Sequence, residues 1–324
     1  MRINGLRAVA LLFAWAWSCV AVAENESAEA LLQQMQQSYR QLNFELTLVE
    51  YSQGQLESKR LTRGHLDGEA LTHLTYLNGR PREFVQRDGE TSFFDVSHHG
   101  YTLKGSSLPG LFYRLQRIPL EPLLTQYDAV FAGRSRVLGR VAQVVRLVPR
   151  AEHCYGYVLW LDQESGLLVK LDTLDPELGV VEQSMGVALR ISEEPSALIH
   201  ELKAARLPPV MPAVEQSPNA QHGLPWQTGW VPEGFELRSQ DKHKLPVTEQ
   251  PVDYLMLSNG LVDVSVYVAQ AGTGGEAQQQ LVRQGATHLV SLINPARVEI
   301  TVVGAIPADT ARRIAESITP GMTP

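Results

Sequence analysis

The chain has 324 residues, 44% hydrophobic and 19% charged, which excludes a disordered polypeptide and predicts two folded units rather than one small core. A formal net charge of −7 excludes a general nucleic-acid binder, whose electrostatic footprint would be basic. At the N-terminus, Arg2 and Arg7 precede the apolar run Ala8–Val20 and the small residues Ala21-Val22-Ala23, the pattern of a secretory signal. Cleavage after Ala23 is expected. A lipoprotein cut before Cys19 is the alternative, disfavoured by the bulk of Trp17. Removal of residues 1–23 leaves Cys154 as the one cysteine, excludes an internal disulfide and moves the charge to −9 as Arg2 and Arg7 are lost. No later apolar run approaches the roughly twenty residues needed to cross a bilayer.

Ser27 can cap a helix whose apolar positions Leu31, Leu32, Met35 and Tyr39 recur at helical spacing. From Asn43 the period becomes two, with Phe44, Leu46 and Leu48 on one face of a half-buried strand. Gly54, Gly64 or Asp67-Gly68, Asn78-Gly79, Asp88-Gly89 and His99-Gly100 then punctuate β-rich segments in the manner of antiparallel hairpins. Leu120–Gln126 reads as a helical turn. Ala129–Phe131, Val137–Pro149, Tyr155–Leu161, Leu167–Leu174 and Val180–Ile191 read as further strands. One helix with many antiparallel strands predicts an α+β unit: a curled, half-open sheet wrapped on the helix.

The prolines of Glu193–Pro225 predict a joint. A short helix at Ala197–Ala205 is expected inside it, and extended, solvated chain from Leu207 onward. The domain plan is therefore 24–192, a linker at 193–225, and a smaller α+β domain at 226–324. In the latter, Val252–Leu257 and Leu261–Gln270 should pair around Ser258-Asn259-Gly260, with Val264, Val266 and Val268 on one face. A weak helix is expected at Glu276–Arg283, strands at His288–Ile293 and Arg297–Val303, and a helix at Ala308–Ile318.

Catalytic and metal motifs do not assemble. Glu182-Gln183-Ser184-Met185-Gly186 lacks the first glycine of a nucleophile elbow, and His200-Glu201 has Ala204 where a zinc-binding helix needs its second histidine. Neighbours in a strand face opposite ways, so Cys154 and His153 cannot act as a nucleophile and base pair, nor His98 and His99 as a chelating pair. The Gly272–Gly275 loop lacks the residues of a phosphate cradle. The chain is read as a non-enzyme without cofactor or metal.

Two groups of residues are binding candidates. Arg134, Arg136, Arg140, Arg146 and Arg150 share parity, so an unbroken strand would show them on one face, either as a solvated outer surface or as a site for an acidic peptide or lipid phosphates. Phe93, Phe94, Tyr101, Phe112, Tyr113, Tyr155, Tyr157 and Trp160 either pack the core or line a gap able to accept an acyl chain. Trp226 and Trp230 flank the joint, where they anchor a partner or fasten the linker.

The signal segment, the Trp160-Leu161-Asp162 to Leu174-Asp175 hairpin, the proline-rich joint, Gly229-Trp230-Val231-Pro232-Glu233-Gly234-Phe235, Ser258-Asn259-Gly260-Leu261 with Val264-Ser265-Val266-Tyr267-Val268, and Val302-Val303-Gly304-x-Ile306-Pro307 together resemble the RseB/MucB family over essentially the whole mature chain. The resemblance implies a periplasmic negative regulator of the sigma-E envelope-stress response. Such a protein binds the periplasmic domain of the membrane anti-sigma factor, shields it from site-1 proteolysis, and is released by lipopolysaccharide or mislocalised lipoprotein. It also implies an N-terminal domain similar to the carriers LolA and LolB, and a homodimer or larger homo-oligomer. A periplasmic lipid or lipoprotein carrier is the alternative function.

Overall fold

The computed structural model describes residues 27–52, 54–96, 98–105, 107–211, 226–243, 252–271 and 279–320. The signal segment, the Gly272–Gly275 loop and the joint from Pro212 to Pro225 lie outside the described residues.

The first helix, α1 (Ala28–Gln41), begins where expected, with the Ser27 hydroxyl accepting a bond from Ala30 N–H at 3.1 Å. Its stripe of Leu31, Leu32, Met35 and Tyr39 is at most 1% exposed. Around it run β1 (Asn43–Ser52), β2 (Gln55–Leu66), β3 (Glu69–Tyr76), β4 (Arg82–Arg87), β5 (Glu90–Asp95) and β6 (His98–Lys104). Two short helices, α2 (Leu111–Leu115) and α3 (Leu120–Gln126), lead into β7 (Tyr127–Val137), β8 (Arg140–Pro149), β9 (Gly156–Asp162), β10 (Leu168–Leu174) and β11 (Val180–Ser192). The eleven strands form one antiparallel sheet in the order β6-β5-β4-β3-β2-β1-β11-β10-β9-β8-β7, with β6 and β7 at its two edges. The expected half-open, helix-filled sheet is the fold observed.

Register shows which side chains face α1. Leu46, Leu61, Leu74, Phe84, Phe93 and Tyr101 stand opposite one another in turn across β1 to β6 and share the concave face. The three leucines at its inner end are fully buried and Tyr101 at the rim is 36% exposed. Burying each such leucine contributes about 1.5–3 kcal/mol.

The convex face carries a strap. The helix expected in the joint is α4 (Ala197–Ala204), and it lies on β2 and β3. Gly64 is the point of approach: a Cβ there would stand 2.9 Å from Ile199 Cγ1 and 3.2 Å from Pro195 Cβ. Arg87 Nη1 donates to the carbonyls of Leu202, Lys203 and Ala205, closing the C-terminal end of α4. Beyond the helix the chain is extended, as expected, but it is not freely solvated. Thr102 Oγ1 donates to Pro208 O at 2.8 Å, Met211 N donates to Thr102 O at 2.8 Å, and Val210 bridges Thr102 in parallel.

Three expectations are corrected. Val137–Pro149 is not one strand: Leu138, at φ 59°, and Gly139, at φ 73°, turn the chain between β7 and β8. His99-Gly100 is not a loop tip but part of β6, where a Cβ on Gly100 would stand 3.0 Å from Pro208. Residues 280–283 of the expected Glu276–Arg283 helix belong to a strand, Gln280–Gln284.

The C-terminal unit opens with β12 (Trp226–Thr228). It continues through β13 (Glu236–His243), β14 (Val252–Ser258), β15 (Asp263–Gln270), β16 (Gln280–Gln284), β17 (Thr287–Ile293), β18 (Val298–Gly304), α5 (Ala308–Ser317) and β19 (Ile318–Pro320). Six strands form a sheet ordered β13-β14-β15-β18-β17-β16, and β12 pairs with β19. Val264, Val266 and Val268 share its buried face, which α5 covers with Ala311, Ile314 and Ala315.

Candidate interdomain site

Alternation along β1 and β11 carries polar side chains onto the concave face near its rim. Glu50 and Ser52 lie beside Ser184 and Glu182 by register. Inside this rim Lys59, 4% exposed, binds Glu50 and lies 3.3 Å from Glu57. Burial opposes the charge on Lys59, but Glu50 and Tyr76 outweigh it and hold the ammonium pKa above its ordinary value. Arg82 reaches Glu57 at 2.6 Å and stacks 3.8 Å from the Tyr76 ring centroid.

The C-terminal domain sits over this rim and borders an open-sided cavity of about 470 Å³. Its N-terminal wall includes Glu50, Phe112, Tyr155, Tyr157 and Glu182; Leu261, Val262, Asp263, Ala286 and Gly304 supply the other side. The seam is joined largely by side chains of one domain reaching backbone groups of the other. Arg114 Nη1 donates to Leu261 O at 3.0 Å and Asp263 Oδ2 at 2.9 Å, and Gln126 Nε2 donates to Asn259 O at 3.0 Å. Tyr155 donates its phenol proton to Ile306 O at 3.1 Å, the carbonyl that His288 Nδ1 approaches to 2.8 Å. Asn259 supports the seam through its own turn, its Oδ1 accepting from Leu261 N and Val262 N. An apolar cluster runs on beneath these bonds through Phe112, Ile118, Leu261 and Val262.

Glu182 is a half-buried carboxylate at this seam. Burial, then the carboxylate of Glu50, raises its pKa, while a bond from Ala286 N–H and the cations Lys59 and Arg283 act in the opposite direction. Gly285 presses directly on Glu182 and Ser52, leaving no room for a Cβ. A second cavity of about 620 Å³ lies behind the seam, between the loops at 149–154 and 174–178 and the start of α5. Cys154 borders it, its thiol pKa pushed up by burial and partly lowered again by Tyr127.

The expected acyl-lining residues do not meet in one space. Phe93 and Tyr101 stack at 4.8 Å on the concave face near the β6 edge, with Phe84 edge-on to Phe93 at 5.3 Å. Phe112 and Tyr157 border the 470 Å³ cavity, as does Tyr155, while Tyr113 is buried beside Phe112. Phe94 follows Phe93 in β5 and faces the convex side. Trp160 is also on that side, under Lys170 Nζ at 3.8 Å and beside the small cluster of Val137, Ala142 and Val169.

The five arginines are likewise divided, because the turn at Leu138-Gly139 ends the parity argument. Arg136 is opposite Val141 and Arg140 opposite Val137, so they face opposite ways. Arg134 and Arg136 are exposed, whereas Arg140 binds Asp162 at 2.7 and 3.0 Å and Glu164 at 2.6 Å. Arg146 lies on β8, and Arg150 pairs with Asp128 at 2.8 Å. Trp226 Nε1 donates to Asp253 at 2.8 Å; Trp230 lies between Arg313, 4.1 Å from its ring centroid, and His153 of the other domain at 4.9 Å. Arg114, Gln126, Glu182, Asn259 and Asp263 escaped the sequence reading. Of these, only Asn259, inside a Ser-Asn-Gly turn, carries a local signal.

Family models match both units: the MucB/RseB N-terminal domain over residues 27–211 and the MucB/RseB C-terminal domain over residues 220–319. The sigma-E factor regulatory protein RseB of Salmonella typhimurium is 33% identical over 318 residues, 96% of each chain. Among solved structures, MucB of Pseudomonas aeruginosa in its complex with MucA is 27% identical, with a TM-score of 0.72 over 91% of this chain and 99% of that one. Another crystal structure of MucB is 26% identical, with a TM-score of 0.58 over 91% of this chain and 98% of that one. With both of its domains matched in order and a 33% identical relative aligned over 96% of each chain, the chain belongs to the MucB/RseB family.

Proposed function

We propose that the protein is a periplasmic negative regulator of the sigma-E envelope-stress response. It binds the periplasmic domain of the membrane anti-sigma factor and shields that domain from site-1 proteolysis. Secretion by the N-terminal signal, with cleavage after Ala23, would deliver it to that compartment as a homodimer or larger homo-oligomer. The reading is supported by the likeness to MucB in its complex with MucA, at a TM-score of 0.72 over 91% of this chain. The closed arrangement of the two domains is taken as the partner-holding one.

Release follows from linkage. Lipopolysaccharide or mislocalised lipoprotein binds better when the C-terminal domain has moved off the concave rim, and each ligand then weakens the other by the same factor. The domains reorient about the chain between Leu207 and Pro225, whose first part, up to Met211, is bonded to β6.

The first experiment is the affinity of residues 24–324 for the purified periplasmic segment of the anti-sigma factor, with and without lipopolysaccharide. Tight binding that lipopolysaccharide weakens is expected. Binding indifferent to lipopolysaccharide would point to another inducer, and lipid uptake without partner binding would make the protein a carrier. An engineered disulfide that ties the two domains together across the seam should preserve partner binding and abolish its response to lipopolysaccharide. A full response in the oxidised variant would remove the reorientation model.

A further inference from the structure

The two edges of the large sheet are treated differently by the chain. On β6 the strap supplies a backbone partner at Thr102. On β7, the other edge, the chain lays no segment over the outer side among the described residues, although the strand is eleven residues long. An uncovered edge presents a row of backbone donors and acceptors and is ordinarily blunted. Here Gly133, at φ 96°, and a register shift between Phe131 and Arg134 interrupt the strand but leave Tyr127–Phe131 as a regular run.

The side chains along this edge have a consistent chemistry. Val130 is 47% and Phe131 36% exposed, and Arg134 and Arg136 are exposed beside them. Arg134 and Arg136 form no ion pair with a carboxylate among the described residues, Arg136 donating to Gly139 O at 2.7 Å, in a protein of net charge −7. Arg134 and Arg136 share a face at a separation of about 7 Å, the repeat of alternate residues in an extended chain. A second copy of β7 would set arginine against arginine, so self-pairing at this edge is disfavoured. Lipid phosphates would satisfy the guanidinium groups but leave the row of backbone groups without partners.

We propose that the β7 edge is a docking site for an extended acidic polypeptide segment, which joins the sheet as an additional strand and sets Asp or Glu at alternate positions against Arg134 and Arg136. Backbone pairing supplies register and the arginines select charge. The site is separate from the seam between the domains and does not depend on the proposed regulatory role.

The test uses residues 24–324 and a capped ten-residue peptide of alternating Glu and Val, measured by fluorescence anisotropy at low and moderate salt. Binding should weaken at least tenfold in Arg134→Glu/Arg136→Glu. It should be lost when alternate peptide amides are N-methylated, and when Glu is replaced by Lys. Arg134→Gln/Arg136→Gln, which adds no repulsion, should give an intermediate loss, and both variants should keep the parent melting temperature because the side chains are exposed. Equal binding of the N-methylated peptide would overturn strand pairing. No binding of the Glu-Val peptide, or binding unchanged by either double substitution, would overturn the site. Binding of phosphatidylglycerol vesicles at Arg134 and Arg136 without peptide binding would overturn it in favour of a lipid surface.

Discussion

The large sheet is covered twice, and the two coverings are built differently. On the convex side, α4 and the following extended chain reach bare backbone: Ile199 fills the space over Gly64, Pro208 that over Gly100, and Met211 adds a main-chain bond. On the concave side, the C-terminal domain rests on a rim of carboxylates and a 470 Å³ cavity, joined by Arg114, Gln126 and Tyr155 to single carbonyls. The first covering is close-packed and tolerates little displacement. The second leaves space and a half-buried carboxylate at its centre, and parting it exposes the apolar cluster of Phe112, Ile118, Leu261 and Val262. One sheet thus carries a fixed cover and a removable one.

The largest effect should come from the fixed cover. Gly64→Val would drive a branched side chain into Ile199 and Pro195 and should cost about 1–3 kcal/mol by overpacking. A lowered melting temperature with proteolytic cleavage appearing in residues 196–211 is expected; an unaltered melting curve would show that the strap is as loose as the seam. At the removable cover, Arg114→Ala loses the Leu261 carbonyl and Asp263 but from a partly exposed position, so about 1 kcal/mol is expected. The domains should separate, read as an increased radius of gyration in solution scattering, without loss of the N-terminal domain's hydrogen-exchange protection. Loss of that protection would mean that the seam belongs to the core.

The smallest and most informative change is at Glu182. Burial raises its pKa above the ordinary 4.5 despite the Ala286 N–H bond, so the folded protein binds the proton more strongly than the unfolded chain. Stability is therefore gained as pH falls through the Glu182 pKa and lost as pH rises through it. Glu182→Gln keeps an acceptor for Ala286 N–H and removes the charge. It should remove this part of the pH dependence, so that the parent loses stability relative to the variant as pH rises from mildly acidic to neutral. Melting temperatures of the two proteins across that range would decide the point, and parallel pH dependence would assign the effect elsewhere.

What the sequence conveyed divides along the same line. Ser27 with Leu31, Leu32, Met35 and Tyr39 announced α1 because cap and stripe act within a few residues, and the alternation at Phe44, Leu46 and Leu48 announced the buried face of β1 for the same reason. Gly100 was misread because its purpose is non-local: it admits Pro208, more than a hundred residues away. The arginine parity failed at Leu138, a residue rarely found with positive φ, so the turn there gave no warning beyond Gly139. Arg114 and Glu182 had no signal at all. A side chain that binds a distant carbonyl or amide leaves no pattern in its own neighbourhood.

The strap has a further consequence for how closure can be so lightly built. Because Met211 is fixed to β6, the tether that matters is not the whole proline-rich region but the fifteen peptide steps from Met211 to Trp226. These span no more than roughly 50 Å when extended. The C-terminal domain therefore meets its rim at an effective concentration on the order of millimolar. An interface too weak to hold two separate molecules together in a dilute compartment can then keep these two units closed. A partner or lipid that competes for the rim has only that small intramolecular preference to overcome.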